Sequence, residues 1–390
     1  MQTLSTTLPP QLVLAGSTLY ASQGSIYGLD TTTGKVRRQY AVSGTAALAF
    51  ARGTLYLNVN RHPDSSVQAL RARDGSTLWS YQAAGQLAHA PSLARNGVYV
   101  STVEGVLYAL QARIGRLLWR SSLAPDPAPS SLFGAIVYTS PFIINETLYI
   151  TYITKESPNC FITAFHTKDG RRLWQALLPD SSSFPLAAAD ERIFLSTTRG
   201  CLAIDRHNGS VLWHQELGSQ VQMWSAPVVT DDRVYVSFSE EAAPSVALSD
   251  EMKHEQQAFI CALRARDGAL LWHQAVGGTS AVRWPTAAAL IDGVLCVGAK
   301  SGPDSILSAY QPADGALLWS SHLSGTWLSS PVGAAGQVYI SDNNGVVSAF
   351  RLRDGQLLWQ TVVATEAQST AHLSVRSSPI VLLPASPSEP

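Results

Sequence analysis

HEQQA at 254–258 opens as a zinc-protease helix would, with a histidine and a glutamate side by side. The second metal ligand has to fall one helical turn on. Ala258 stands there instead, so the segment cannot hold a metal between two histidines. GLDTTTGKV at 28–36 has the glycines and lysine of a phosphate loop. It also has one residue too many between the glycines, Val36 in place of Ser or Thr, and no helix pattern behind it. The chain contains no G-x-S-x-G elbow, no haem-attachment motif and no spacing that marks a Ser-His-Asp triad. Its four cysteines, Cys160, Cys201, Cys261 and Cys296, have neither paired nor metal-ligand spacing and read as buried thiols. No catalytic residue and no metal site is expected.

The remaining chemistry is that of binding. Trp224, Trp284 and Trp327 stand apart from the other tryptophans, and His89, Tyr138, Arg283 and Arg376 occupy comparable places. All seven fall at the entry to a predicted inner strand. Aromatic rings and guanidinium groups around one concave mouth suit a planar anion or a partner's side chain.

The elements that would position them are repeats. Gly is followed four residues later by Trp in seven copies, giving Trp79, Trp119, Trp174, Trp213, Trp272, Trp319 and Trp359. An eighth copy has Gly34 in place and Arg38 where the ring would be. Six positions before each Gly sits Ala or, once, Gly28. Spacings between these glycines run from 39 to 59 residues, and four of the seven lie at 39–41. A forty-residue period of strand-like content is the pattern of propeller blades.

Each unit divides into four short strands, as in PVGAAG, QVYIS, VVSAFRL and QLLWQTVV near the C-terminus. Asp-Gly stands between the third and fourth strands in five copies. Such pairs accept positive φ and close two-residue hairpins. Ile114-Gly115 departs from the pattern and should be the most strained turn. Blades bury their faces only by stacking. The tryptophans are therefore read as docking rings, each lying on the small residue of a neighbouring blade. Burial of one such ring is worth about 2–3 kcal/mol.

The spacing resembles the tryptophan-docking motif of the pyrroloquinoline-quinone (PQQ) repeat family, most closely at AIDRHNGSVLW (203–213) and GLDTTTGKVRR (28–38). The resemblance covers nearly the whole chain. It implies an all-β, eight-bladed β-propeller of four-stranded antiparallel blades, spanning 1–383, with 384–390 as a disordered tail. The family includes quinoprotein alcohol dehydrogenases and the non-enzymatic outer-membrane assembly lipoprotein BamB. A dehydrogenase would bring PQQ with Ca²⁺, adjacent cysteines beside it and a catalytic aspartate. The chain has no adjacent cysteines, and neither calcium ligands nor the aspartate falls on a matching motif. The expectation is a BamB-like scaffold without cofactor.

Nine candidates exist for eight first strands. The C-terminal RSSPIVLL (376–383) is expected to pair into the first blade and lock the ring; the alternative is that the chain was cut from a longer array. The long insertions, at 58–66, 152–160, 239–257 and 300–305, are all second-to-third loops and so decorate one face. The expected partner is a protein or peptide on that face, with Glu240, Glu241, Asp250 and Glu251 setting specificity. A small molecule or glycan at the aromatic mouth is the alternative. Net charge is −1, and no apolar run reaches the length of a membrane span. Those bulk numbers give no reason to expect nucleic acid or an anionic membrane. MQTLSTTLPPQLVLAG does not read as a signal peptide.

Overall fold

The structure is a computed structural model. It describes residues 9–42, 45–60, 65–123, 135–137, 139–154, 157–182, 185–218, 221–223, 225–241, 256–278, 282–325 and 327–363. Eight antiparallel sheets follow one another along the chain, at 11–41, 45–83, 92–122, 135–177, 187–216, 221–275, 282–323 and 332–362. These are blades 1 to 8. In each, strands pair in chain order, and first strands of most successive blades touch around the centre. The protein is an eight-bladed β-propeller, as its period implies.

Alternation along the strands explains the stacking. Second and third strands are buried over nearly their whole length, because each presents side chains to the blades on both sides. Fourth strands are buried only at every second residue, as outer edges must be.

The blades are joined by one repeated contact. Trp79 of blade 2 donates its indole N–H to the Ala112 carbonyl of blade 3 (2.8 Å) and lies against Gly115, three residues further on. A Cβ on Gly115 would fall 2.5 Å from the Trp79 ring, and its φ of 70° also suits glycine. The other six docking tryptophans repeat this on Thr167, Arg206, Ala265, Pro312, Leu352 and Thr31, at 2.7–3.1 Å. So the ring rests on the next blade's turn glycine, not on its alanine. The alanine lies within the ring's own sheet: Ala69 pairs with Trp79 on one side and Tyr56 on the other. Its small side chain lets the two aromatic rings lean together, with centroids 6.1 Å apart.

Blade 1 shows why Arg38 does not break the series. Tyr40, two residues on and on the same face, lies against Gly75 and donates its hydroxyl to Ala72 O at 2.6 Å. The ring closes by the same contact, from Trp359 of blade 8 to Thr31 of blade 1 (2.9 Å). The first-strand place in blade 1 is filled by Gln11–Ala15, which pairs with Thr18–Gln23. Residues 376–383 lie outside the described residues.

Two turn expectations are corrected. The third-to-fourth connection is wider than two residues: Gly75 N–H donates to Arg71 O (2.8 Å), and Arg71 N–H to Ser76 O (2.9 Å). Only the glycine takes positive φ. Asp74 serves instead as an acceptor, its Oδ1 receiving Ser76 N–H at 3.0 Å. Ile114 keeps negative φ and is exposed, so that turn has lost an acceptor rather than gained strain. The insertions are also more regular than loops. Thr147–Thr154 pairs with Ser157–His166, Arg233–Glu241 with Gln256–Arg264, and Val294–Ser301 with Asp304–Tyr310, as lengthened hairpins.

Candidate functional site

In blades 4, 6 and 7 the first strand is split in two, and its upper piece covers the lengthened second strand. In blade 7 that piece is Val282–Pro285, and it carries a bulge: Arg283 pairs with Lys300 and Pro285 with Ala299, leaving Trp284 between them. The bulged tryptophan sits at φ 43°, a costly conformation for a bulky side chain. Blade 8 places Trp327 one residue before its corresponding bridge, Leu328 to Asp342. Trp284 and Trp327 therefore hold the same station on adjacent blades, and they meet.

Their rings stack with centroids 5.1 Å apart and planes 15° from parallel. The Lys300 ammonium lies 4.7 Å from the centre of the Trp284 ring and 5.5 Å from that of Trp327. Gln256 of blade 6 fixes the Trp284 indole by accepting its N–H at 2.9 Å. The Trp327 backbone is held on both sides by Asn343, which accepts Trp327 N–H with its side chain (3.1 Å) and donates its own N–H to Trp327 O (2.9 Å). Trp327 remains 39% exposed, whereas the docking tryptophans of blades 2, 3, 5 and 6 are buried. Beneath it, burial pushes the Asp342 carboxyl above the usual range, while N–H groups of Val346 and Asn344 oppose the shift.

Three of the seven sequence candidates thus fall on one site, with Arg283 flanking the stacked pair. His89 is elsewhere: its carbonyl accepts from the Asn58 side chain, joining blades 2 and 3 near the axis. The same inner joint recurs as Ser237 to Thr286 O (2.6 Å) and Ser341 to Pro10 O (2.7 Å). Tyr138, Trp224, Arg376, Asp250 and Glu251 lie outside the described residues. Lys300 and Gln256 had no repeat-level signal. The register that sets Lys300 opposite Arg283 reveals the one, and the bond from the Trp284 indole reveals the other.

The site brings together two rings, an amide and an ammonium, groups suited to noncovalent contacts. Among the described residues no group of three His, Cys, Asp or Glu is placed to hold a metal. The four cysteines are buried, free and raised in pKa by that burial, Cys160 to about 11 and Cys296 to about 12. They are fillers of the blade interfaces.

The family model described as outer membrane protein assembly factor BamB matches residues 2–153, 159–302 and 256–385. The chain belongs to this PQQ-repeat, BamB-type family. Outer membrane protein assembly factor BamB of Yersinia pestis is 24% identical over 310 residues, 73% of this chain and 66% of that one. The dehydrogenase subunit of a quinone alcohol dehydrogenase from Gluconobacter oxydans is 27% identical over 267 residues, 63% of this chain but 33% of its own. The crystal structure of BamB from Moraxella catarrhalis superposes with a TM-score of 0.64 at 15% identity, over 89% of this chain and 97% of that one. At that identity the likeness shows the fold. Among the described residues no helix is long and apolar enough to cross a membrane.

Proposed function

We propose that this BamB-type propeller is a non-catalytic docking module, and that its lengthened-hairpin face holds a protein or peptide through Trp284, Trp327 and Lys300. One observation carries the reading: a bulky residue is held at φ 43° so that two rings stack at the rim of a rigid scaffold, one of them 39% exposed. A pair of rings beside an ammonium suits an apolar or aromatic anchor next to a carboxylate. The names of the family model and of the Yersinia relative support a place in outer-membrane assembly, and with it a location in the cell envelope.

The same rings could bind a small molecule or glycan, and a quinone-dependent relative keeps a dehydrogenase reading in view. One pair of experiments separates them. A photo-crosslinking side chain at Trp327 should capture a discrete protein in the native cell, and Trp284→Ala should abolish the adduct. Titration of the purified chain with PQQ and Ca²⁺, followed by tryptophan fluorescence and melting temperature, should give no saturable response. A metal-dependent stabilisation by PQQ would overturn the non-catalytic reading.

A further inference from the structure

The bulk charge of −1 conceals a positive excess on one face. Antiparallel pairing in chain order puts every first-to-second and third-to-fourth turn on the face opposite the lengthened hairpins. Take each such turn with the last two residues of one strand and the first three of the next. These segments hold 19 of the 27 lysines and arginines but only 13 of the 28 aspartates and glutamates, an excess of six positive charges. The excess is not spread evenly over the face. The inner, first-to-second turns hold four cations and six anions. The outer, third-to-fourth turns hold fifteen cations and seven anions. The positive charge is an annulus.

Three turns in that annulus are built alike. In blades 2, 6 and 8 the sequence R-x-R-D-G sets two arginines on one carboxylate oxygen. Arg71 and Arg73 reach Asp74 at 3.6 and 3.1 Å, Arg264 and Arg266 reach Asp267 at 3.1 and 3.3 Å, and Arg351 and Arg353 reach Asp354 at 3.0 and 3.3 Å. Two guanidinium groups per carboxylate leave one net positive charge in each turn. The second arginine is held by its Nε, and its side chain is 74%, 72% and 77% exposed in the three copies. Such a head is pre-oriented to donate to phosphate or carboxylate.

Apolar side chains share the annulus. At the first or second residue of every fourth strand, one or both side chains are exposed and apolar: Leu78 at 41%, Leu118 at 44%, Leu212 at 46% and Leu358 at 36% are examples. Isolated exposed leucines are ordinary. A copy on every blade, with cations in seven of the eight turns of the same rim, is not.

We infer that the third-to-fourth-turn face is a docking surface for an anionic phospholipid bilayer, with the arginines on headgroup phosphates and the leucines at the acyl boundary. A discrete acidic protein would meet one sector of the ring, whereas these turns are net positive on six of the eight blades and carry exposed apolar residues on all eight, which suits an extended flat surface. Nucleic acid would call for aromatic stacking or a basic groove, and the exposed apolar residues on this rim are aliphatic. This surface lies opposite the Trp284–Trp327 site, so either inference can fail without the other.

The test is co-sedimentation of the full chain with phosphatidylcholine vesicles, with and without about one-third phosphatidylglycerol. Partitioning should require the anionic lipid and fall steeply as ionic strength rises. Arg73→Glu/Arg266→Glu/Arg353→Glu should lower it at least about tenfold, and the corresponding lysine variant should stay within about threefold, because charge rather than geometry dominates at a headgroup layer. Equal melting temperatures would confirm that all three chains are folded. Absence of binding to anionic vesicles at low salt would overturn the inference. So would unchanged binding by the folded charge-reversed variant, or binding to heparin or an acidic protein without binding to vesicles.

Discussion

Tyr339 and Trp359 of the last blade donate to the same carbonyl oxygen, that of Thr31 in the first, at 3.4 and 2.9 Å. The pair is not special to the seam. Tyr99 and Trp119 converge on Thr167 O, and Tyr235 and Trp272 on Pro312 O, in the same way. The closing joint should therefore be as strong as any other. Trp359→Ala and Trp79→Ala should each cost about 3–5 kcal/mol in urea unfolding. A much smaller cost at Trp359 would show that some other contact holds the ring shut.

The glycine under each ring is as constrained as the ring. Gly115→Ala puts a methyl 2.5 Å from Trp79 on a backbone at φ 70°, and should cost about 1–3 kcal/mol. Combined with Trp79→Ala it should cost less than the sum of the two, since the clash is gone. A double-mutant cycle reads that coupling directly.

Tyr40 makes the blade 1 joint, and Arg38 does not. Tyr40→Phe should cost about 1 kcal/mol through the lost bond to Ala72 O, and Arg38→Ala should stay within about 0.5 kcal/mol. Reversal of that order in chemical denaturation would return the docking role to position 38.

Acid should weaken the turns before the core. The carboxyls of Asp30, Asp74, Asp169, Asp267 and Asp354 are held low by hydrogen bonds from nearby backbone or hydroxyl groups and by neighbouring basic side chains. Their contribution is complete above the ordinary carboxyl value of 3.8 and fades as pH falls through their lowered values. Asp342 runs the other way. Burial raises its pKa, so its contribution is complete below 3.8 and is lost as pH rises through the raised value. Asp342→Asn should raise the melting temperature at pH 7 and leave it unchanged near pH 3. A loss at pH 7 would mean that the ionised carboxylate is a net stabiliser.

Thiol reactivity is a simple probe of the assembled blades. With all four cysteines buried and raised in pKa, Ellman's reagent at pH 8 should find none in the native protein and all four in denaturant. Rapid native reaction of Cys160 would indicate local opening of blade 4.

The blade count, strand order and docking rings were legible because they rest on fixed spacing: each Gly-to-Trp interval is set by one turn and one stretch of strand. Tyr40 was missed because it reaches the same glycine from two residues further along, which a fixed-interval reading passes over. The meeting of Trp284 with Trp327 was legible only as shared location. Their stacking depends on a one-residue bulge between Arg283 and Pro285, and no local sequence pattern announces it. Glu240 and Glu241 fall at the end of a lengthened strand rather than in a loop, because pairing with Gln257 and Gln256 extends the ladder past the ordinary blade. The positive excess of the third-to-fourth turns was invisible in the bulk sum because anions elsewhere in the chain offset it.

A ring whose last joint is identical to the rest has no privileged beginning. Within the described residues, blade 1 contains its own four strands and so does blade 8, and no strand is shared across the seam. The architecture is therefore modular in heredity as well as in shape. Duplicating a gene segment for one blade supplies both halves of two joints at once, the ring and the glycine that receives it. Among the described residues, moving the chain ends to another gap would leave each ring-on-glycine joint intact.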